Sequence, residues 1–230
     1  MTDPQSPKPY KGGWRQDFLI ALVFLTRLPI QLNLDFSMKT VGLASRAFPL
    51  VGVIVGGISG SIFFAMSAAG LPLLLCAFLA LGAQILLTGA LHEDAIGDVA
   101  DGFGGGADRA KKLEIMRDSR VGTYAVVTLV ILLGIKASAL AALNDPYAAF
   151  AVIIAAAVCS RGLMSSALYL MPAARPNGLG ASAGRPPLSA ALWAFGFAAF
   201  FPVLILGPYF GSAGVIAALI GASIIGFIAY

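Results

Sequence analysis

Seven of the eleven acidic residues lie in one stretch, residues 92–120, which we call the acidic segment. Carboxylates accept protons and bind hard divalent cations, so a cluster of them suits metal-assisted chemistry on phosphates. Basic side chains that commonly hold phosphates flank the later acids. The acids are Glu93, Asp94, Asp98, Asp101, Asp108, Glu114 and Asp118, and the cations are Lys111, Lys112, Arg117 and Arg120. The segment therefore predicts phosphoryl transfer.

The first acids have helical spacing. If the helix ending at Leu91 continues, Asp94, Asp98 and Asp101 stand at i, i+4 and i+7 and share one face. Like charges so placed repel each other unless a cation lies between them. Because only oxygen ligands are offered, Mg²⁺ or Mn²⁺ is favoured over zinc.

A glycine-rich turn follows this face. Gly102 and residues 104–106 predict that the helix ends and the chain reverses with its amides exposed. Asp108 predicts an N-cap, and on the helix after it Glu114 and Asp118 stand at i, i+4. A helical hairpin would bring two carboxylate faces together. The alternative is a solvated loop with pairs such as Asp108 with Lys112, which the number and spacing of the acids disfavour.

The rest of the chain must place this segment at a membrane. It is 59% hydrophobic and 11% charged with a mean hydropathy of +0.89, whereas soluble domains are about 25% charged. We predict an all-α polytopic bundle in a single membrane domain, residues 1–230. The net charge of +4 is dispersed among apolar runs and reads as topology signals, so no nucleic-acid partner is expected.

Six apolar runs are predicted to span the bilayer, since crossing it takes about 20 residues. An earlier run, 18–34, is interrupted by Arg27 and Pro29 and is predicted to be interfacial or re-entrant. It follows a polar tail, residues 1–17. The predicted spans are 47–69, 71–91, 121–143, 147–171, 188–206 and 213–230.

The basic residues predict the orientation. With six spans, the loops on one side, near Gly70 and in 144–146 and 207–212, contain no Lys or Arg. All basic loop residues then fall on the other side, which the positive-inside rule makes cytoplasmic. Both termini and the acidic segment are therefore predicted to be cytoplasmic.

Two cations, Lys136 and Arg161, fall within predicted spans, where charges are rare and usually face the bundle interior. Arg161 is the better candidate for substrate contact, whereas Lys136 is expected to pair with a carbonyl. The loop 172–187 contains Arg175 and Arg185 among Gly and Pro. It is either a mobile cover over the site or an anchored connector.

Two resemblances bear on function. Asp98-Val-Ala-Asp101-Gly102 resembles the opening of the CDP-alcohol phosphotransferase motif, but the Ala-Arg of that motif is absent. A wider resemblance is to the cobalamin 5′-phosphate synthase family, also called adenosylcobinamide-GDP ribazoletransferases. It is carried by Leu91-His92-Glu93-Asp94, Asp101-Gly102-Phe103-Gly104-Gly105-Gly106, and most specifically Glu114-Ile115-Met116-Arg117-Asp118-Ser119-Arg120. Supporting pieces are Phe24-Leu25-Thr26-Arg27-Leu28-Pro29, Ser160-Arg161 and Ala174-Arg175-Pro176-Asn177-Gly178.

This resemblance implies the last nucleotide-loop assembly step of cobalamin biosynthesis in the bacterial inner membrane. A hydroxyl of α-ribazole or its 5′-phosphate attacks the cobinamide phosphate of adenosylcobinamide-GDP, GMP leaves, and Mg²⁺ is required. Family members continue with a Gly-Gly-x-Thr-Gly-Asp segment and a last helix, so the resemblance also implies a sequence that stops short of the family's C-terminus.

By analogy with phosphoryl-transfer enzymes, the expected magnesium ligands are Asp94, Asp98, Asp101 and Asp118, with Glu114 or Asp118 as proton acceptor. The expected contacts to phosphate or corrinoid are Lys112, Arg117, Arg120, Arg161 and Arg175. Other expected partners are the bilayer and, left open, a second copy or other cobalamin-assembly enzymes. The alternatives are a CDP-alcohol phosphotransferase-type lipid synthase and a membrane transporter.

Overall fold

The computed structural model describes residues 8–216 and residue 220. These residues are largely helical, and their one β-type pairing is an isolated bridge between Lys8 and Leu34. The chain divides into two compact units. The first unit comprises residues up to Gly57 and from Phe150 onward, and the second unit is Ile58–Ala149.

Helices follow one another along the described chain with short connections between them. They are α1 Trp14–Leu25, α2 Met38–Leu43, a 3₁₀ helix Ala44–Ala47, α3 Phe48–Ala68, α4 Leu73–Thr88, α5 Leu91–Gly105, α6 Arg109–Ile115, α7 Thr123–Ala142, α8 Pro146–Leu170, α9 Leu179–Ala183 and α10 Leu188–Phe210. The prediction of an all-α fold is confirmed.

Four stretches of the described residues are long and apolar enough to cross a membrane, and α4 with α5 would make a fifth if the bent pair is one span. They match four of the predicted spans. The predicted span 213–230 falls largely outside the described residues. The four stretches are Met38–Ala68, Thr123–Ala142, Pro146–Leu170 and Leu188–Phe210.

The predicted span 71–91 does not continue as one helix into the acidic segment. α4 ends at Thr88, and two left-handed residues follow, Gly89 (φ 65°) and Ala90 (φ 58°). The next helix, α5, then runs at 93° to α4. Consecutive left-handed residues cannot continue a right-handed helix. The acidic face is therefore carried by a separate helix that crosses the direction of α4.

Close backbone contacts hold the first unit together. A Cβ at Gly52 would lie 2.5 Å from the Ala157 oxygen, and one at Gly56 would lie 2.6 Å from the Ile154 Cα. Glycine lets the α3 and α8 backbones approach within a distance that any side chain would prevent. The two glycines therefore serve the packing of α3 against α8.

A charged cluster lies between α1 and the 3₁₀ helix of the first unit. The carboxylate of Asp17 is buried and accepts hydrogen bonds from Arg46 Nε and from the Tyr10 hydroxyl. Burial, together with the hydrogen bond to Asp17, raises the pKa of the Tyr10 phenol. The Arg46 guanidinium also lies 4.5 Å from the ring centroid of Trp14. These contacts hold the short α1 against the 3₁₀ helix of the same unit.

Replacing Asp17 by Asn is expected to lower the free energy of unfolding by about 3 kcal/mol, because it leaves the partly buried Arg46 without its counter-charge. Thermal unfolding in detergent micelles, followed by circular dichroism, measures the loss. The matched control is Asp35→Asn, since Asp35 is exposed. Equal midpoints for the two variants would contradict a stabilising role for the pair.

Candidate active site

The acidic face lies on α5 in the second unit. Asp94, Asp98 and Asp101 all fall within this helix, so the predicted shared face is present. Asp94 is exposed, and Asp98 and Asp101 are half-buried. The Asp94 side chain is therefore accessible to solvent, and the Asp98 side chain is partly accessible.

Asp101 is engaged by the start of α7. Its carboxylate accepts hydrogen bonds from the backbone amides of Gly122, at 2.6 Å, and of Ala125, at 2.9 Å. Gly122 is the N-cap residue of α7 and offers no side-chain cap of its own. Asp101 thus supplies, from α5, the cap that satisfies amides at the α7 N-terminus. Sequence spacing gave no sign of these partners.

The α5–α7 junction leaves no room for a side chain at Gly122. A Cβ there would lie 2.4 Å from Asp101 Oδ1. One helical turn before Asp101 on α5, a Cβ at Gly97 would lie 3.3 Å from the Ala125 Cβ. The two helices are therefore packed closely where the carboxylate crosses between them.

The glycine-rich end of α5 also serves packing. A Cβ at Gly104 would lie 2.4 Å from the Tyr124 ring, and one at Gly102 would lie 2.7 Å from Met116 Cε. The helix runs to Gly105 and is capped by Gly106. The expected chain reversal is present, but it follows Gly105, so Gly102 and Gly104 lie within the helix. Gly102 is buried, and Gly104 is exposed although it approaches the Tyr124 ring.

The second predicted carboxylate face is not formed. Asp108 caps α6 as expected, its side chain accepting from the Lys111 amide at 2.8 Å. However, α6 ends at Ile115, so Asp118 lies beyond the helix and does not share a face with Glu114. The i, i+4 relation holds only while a helix continues. The prediction of a second stripe is therefore wrong.

Glu114 and Asp118 instead form local ion pairs. Lys111 Nζ donates to Glu114 Oε1 at 2.8 Å, and Arg120 Nη2 donates to Asp118 Oδ2 at 2.6 Å. Hydrogen bonds from the Arg120 side chain and backbone lower the pKa of the Asp118 carboxyl. A lowered pKa makes Asp118 a weaker proton acceptor than an ordinary aspartate.

An open cavity of about 630 Å³ lies beside these pairs. Its charged lining comprises Lys111, Glu114, Arg117, Asp118 and Arg120. Lys111 and Arg120 already pair with carboxylates, whereas Arg117 makes no ion pair within the described residues. Arg117 is therefore the cavity cation best placed to bind a phosphate.

Lys112 lies apart from this set, with its Nζ 4.4 Å from the ring centroid of Phe103 on α5. Such a cation–π contact holds the ammonium over an aromatic face. The Phe103 partner was not expected from sequence, although an aromatic residue beside a basic helix is a signal that could have suggested it.

The expected magnesium ligands are not gathered into one site. Within residues 8–216 and 220, no group of three or more His, Cys, Asp or Glu side chains is placed to hold a metal ion. Asp101 is occupied by two amides and Asp118 by Arg120. The four carboxylates Asp94, Asp98, Asp101 and Asp118 do not fit a shared ion in this conformation, and magnesium binding stays a prediction.

Two further candidates, Arg161 and Arg175, belong to the first unit. Arg161 on α8 is fully buried, and its Nη1 donates to the Ala157 oxygen at 3.2 Å. Arg175 is half-buried beside Gly178, and its Nη1 is buried without a hydrogen-bond partner in the described part of the chain. In this conformation the Arg161 head group is out of reach of a substrate.

The loop that contains Arg175 is anchored within the first unit. A Cβ at Gly42 on α2 would lie 2.2 Å from the Ala183 oxygen on α9, so the two backbones touch. Arg185 Nε donates to the Tyr169 oxygen at 2.8 Å, and the guanidinium lies over the Tyr169 ring. These contacts favour the connector over the mobile cover.

The described residues define a helical membrane protein with a segment rich in both carboxylates and basic side chains. Residues 17–230 match the model of the family described as cobalamin-5-phosphate synthase. The chain belongs to that family. This membership replaces the alternatives of a lipid synthase and a transporter.

Several curated relatives are named adenosylcobinamide-GDP ribazoletransferase. One from Mesorhizobium japonicum is 43% identical over 204 residues, covering 89% of this chain and 76% of the relative. One from Bradyrhizobium diazoefficiens is 42% identical, covering 84% and 74%, and one from Brucella anthropi is 39% identical, covering 90% and 81%. No solved structure matches this chain significantly.

Proposed function

We propose that this protein is an adenosylcobinamide-GDP ribazoletransferase, which carries out the final nucleotide-loop assembly step of cobalamin biosynthesis. Its family and the names of its relatives support the activity. One observation supports the candidate site most strongly: the acidic segment contains both a carboxylate face on α5 and a cation-lined cavity beside α6. These are the groups that phosphoryl transfer uses for charge stabilisation and positioning.

In the proposed reaction, a hydroxyl oxygen of α-ribazole or its 5′-phosphate forms a bond to the cobinamide-linked phosphorus. The bond from that phosphorus to the GMP oxygen breaks, and the hydroxyl proton passes to a carboxylate. Glu114 is favoured over Asp118 as acceptor, since the Arg120 hydrogen bonds lower the pKa of Asp118. Arg117 and, after exchange of its partner, Arg120 would hold the phosphates of the nucleotide.

We further propose that the reaction requires Mg²⁺, because the candidate ligands are all carboxylates and the substrate contains a diphosphate. Bound to such a substrate, Mg²⁺ would neutralise charge on the phosphate oxygens. Asp94, which is exposed, and Asp98, which is half-buried, are the other two carboxylates of the α5 face. The four predicted ligands do not converge among the described residues, so the proposed reaction has no step on a protein-bound ion.

The proposal places the protein in the bacterial inner membrane, with the acidic segment and both termini in the cytoplasm. The distribution of Lys and Arg supports this orientation. We also propose that the protein assembles with a second copy of itself or with other cobalamin-assembly enzymes. Sedimentation of the purified protein in detergent tests for the second copy.

The acceptor side of the reaction gives a direct test. Protein in phospholipid vesicles is incubated with adenosylcobinamide-GDP, Mg²⁺ and α-ribazole 5′-phosphate that carries a phosphorus label. The label is expected in a corrinoid product separated by chromatography, and only when both substrates are present. Label that stays in free α-ribazole 5′-phosphate would contradict the proposal, and a parallel incubation with unphosphorylated α-ribazole identifies the preferred acceptor.

Replacing Arg117 by Ala is expected to raise KM for adenosylcobinamide-GDP about tenfold, because a charge-assisted hydrogen bond to a phosphate is lost. Steady-state kinetics in vesicles measures the change. Lys111→Ala is the matched control, because Lys111 lines the same cavity but already pairs with Glu114. A KM that rises equally in both variants would argue against a specific role for Arg117.

A further inference from the structure

The orientation of α5 sets it apart from the other apolar elements of the second unit. It begins directly after the left-handed pair Gly89 and Ala90 and runs at 93° to α4. A helix perpendicular to one that runs across the bilayer must lie in the bilayer plane. The α5 helix also binds the backbone amides of Gly122 and Ala125. These amides lie at the N-terminal end of α7, which is long and apolar enough to cross the membrane, so α5 lies near one end of that span.

The surface of α5 is divided into an acidic face and an apolar stripe. Ala95, Val99 and Phe103 stand at i, i+4 and i+8 and are all exposed, Val99 by 49% and Phe103 by 65%. At about 100° per residue, this stripe is centred about 130° around the helix from the acids. Gly97 and Asp101 meet α7 at the edge of the acidic face, on the side away from the apolar stripe. The helix is therefore amphipathic: it packs against α7 on one side and still exposes an apolar stripe on another.

The neighbouring helices indicate what covers the stripe. α4 exposes Leu79 and Leu86, and α7 exposes Val130 and Ile131. Only hydrocarbon is a suitable solvent for such surfaces on helices of this hydropathy. A helix that leaves α4 at a right angle and packs against the first turn of α7 therefore lies at the boundary between acyl chains and headgroups. The Lys112 ammonium over Phe103 fits that depth, where aromatic rings and snorkelling lysines are enriched.

We propose that α5 is an interfacial helix, whose stripe of Ala95, Val99 and Phe103 is inserted into the bilayer surface while Asp94 and Asp98 face the aqueous side. Interfacial helices bury their apolar face by about 5–10 Å. The acidic face is thereby held at the depth of the lipid headgroups. The placement rests on the geometry of α5 and on no assumption about the substrate.

Spin labels at single cysteines test the placement. Cys76 and Cys159 are replaced by Ala, and a nitroxide is attached to Val99→Cys, Asp94→Cys, Val130→Cys or Ser119→Cys. The protein is placed in vesicles of phosphatidylcholine and phosphatidylglycerol. Power saturation then measures how often each nitroxide collides with oxygen, which concentrates in the bilayer, and how often it collides with a water-soluble nickel chelate. Val130 serves as the lipid reference and Ser119 as the water reference.

The Val99 label is expected to collide mainly with oxygen, as the Val130 label does, and the Asp94 label mainly with nickel. A Val99 label as open to nickel as the Ser119 label would overturn the proposal. So would an Asp94 label shielded as strongly as that at Val130, because α5 would then be re-entrant. Spin–spin broadening at Val99 that disappears on dilution with unlabelled protein would also overturn it, since a second copy would then cover the stripe. If Val99→Cys does not fold, Phe103→Cys reports on the same stripe.

Discussion

In the Asp98→Asn variant, the rate of GMP release is expected to fall about a hundredfold or more, while the protein still folds. Asn has nearly the same size as Asp, so the variant is expected to fold at this half-buried position of α5 and to change chiefly the charge of the acidic face. Asp94→Asn is expected to act in the same direction, because the two carboxylates are one helical turn apart on the same face. Initial rates of GMP release in vesicles measure both effects.

Asp108→Asn is the matched control for this loss of charge. Asp108 lies in the same segment, but its side chain caps α6 through the Lys111 amide, and Asn caps helices as well as Asp does. The control is expected to retain activity, and thermal unfolding is expected to be alike in all three variants. Near-normal rates in both Asp94→Asn and Asp98→Asn would remove the acidic face from the reaction.

The Gly122→Ala variant is expected to show the largest structural effect of any single methyl group in the second unit. Its Cβ would lie 2.4 Å from Asp101 Oδ1, so the Asp101 carboxylate must move and its bonds to the Gly122 and Ala125 amides must weaken. Losing these hydrogen bonds costs about 1–3 kcal/mol. The orientation of α5 against α7 changes with them, and GMP release is expected to fall about tenfold.

Hydrogen exchange at the α7 N-terminus separates this effect from loss of a catalytic group. Amides of residues 122–125 are expected to exchange faster in Gly122→Ala and in Asp101→Ala, but not in Asp98→Asn. Gly134→Ala is the control in the same helix, because a Cβ there meets nothing within 4 Å. Wild-type exchange and activity in Gly122→Ala would show that Asp101 does not hold the junction.

The spanning helices were predictable from sequence because long apolar runs have few other structural solutions. The break between α4 and α5 was not, since the run through Leu91 stays apolar and the bend depends on the backbone at Gly89 and Ala90. Ala90 in particular has no intrinsic preference for a left-handed conformation. Hydropathy gives the length of a run but does not report its backbone dihedral angles.

The site shows a similar division. Spacing placed the α5 acids on one face because every residue between them is helical. It could not show that Asp101 caps α7, since that depends on contacts over 21 residues in sequence. It also failed for Asp118, because the helix ends after Ile115. The ion pair of Asp17 and Arg46 was missed for the same reason as the Asp101 cap, as 29 residues separate its members.

The central claim, that the acidic segment transfers cobinamide phosphate, is tested most directly by GMP release from adenosylcobinamide-GDP. The protein in vesicles is supplied with Mg²⁺, with and without α-ribazole 5′-phosphate, and the GMP released is measured by chromatography. GMP is expected in step with acceptor consumption, and none is expected without the acceptor. Absence of GMP with both substrates present, or its release independent of the acceptor, would contradict the claim.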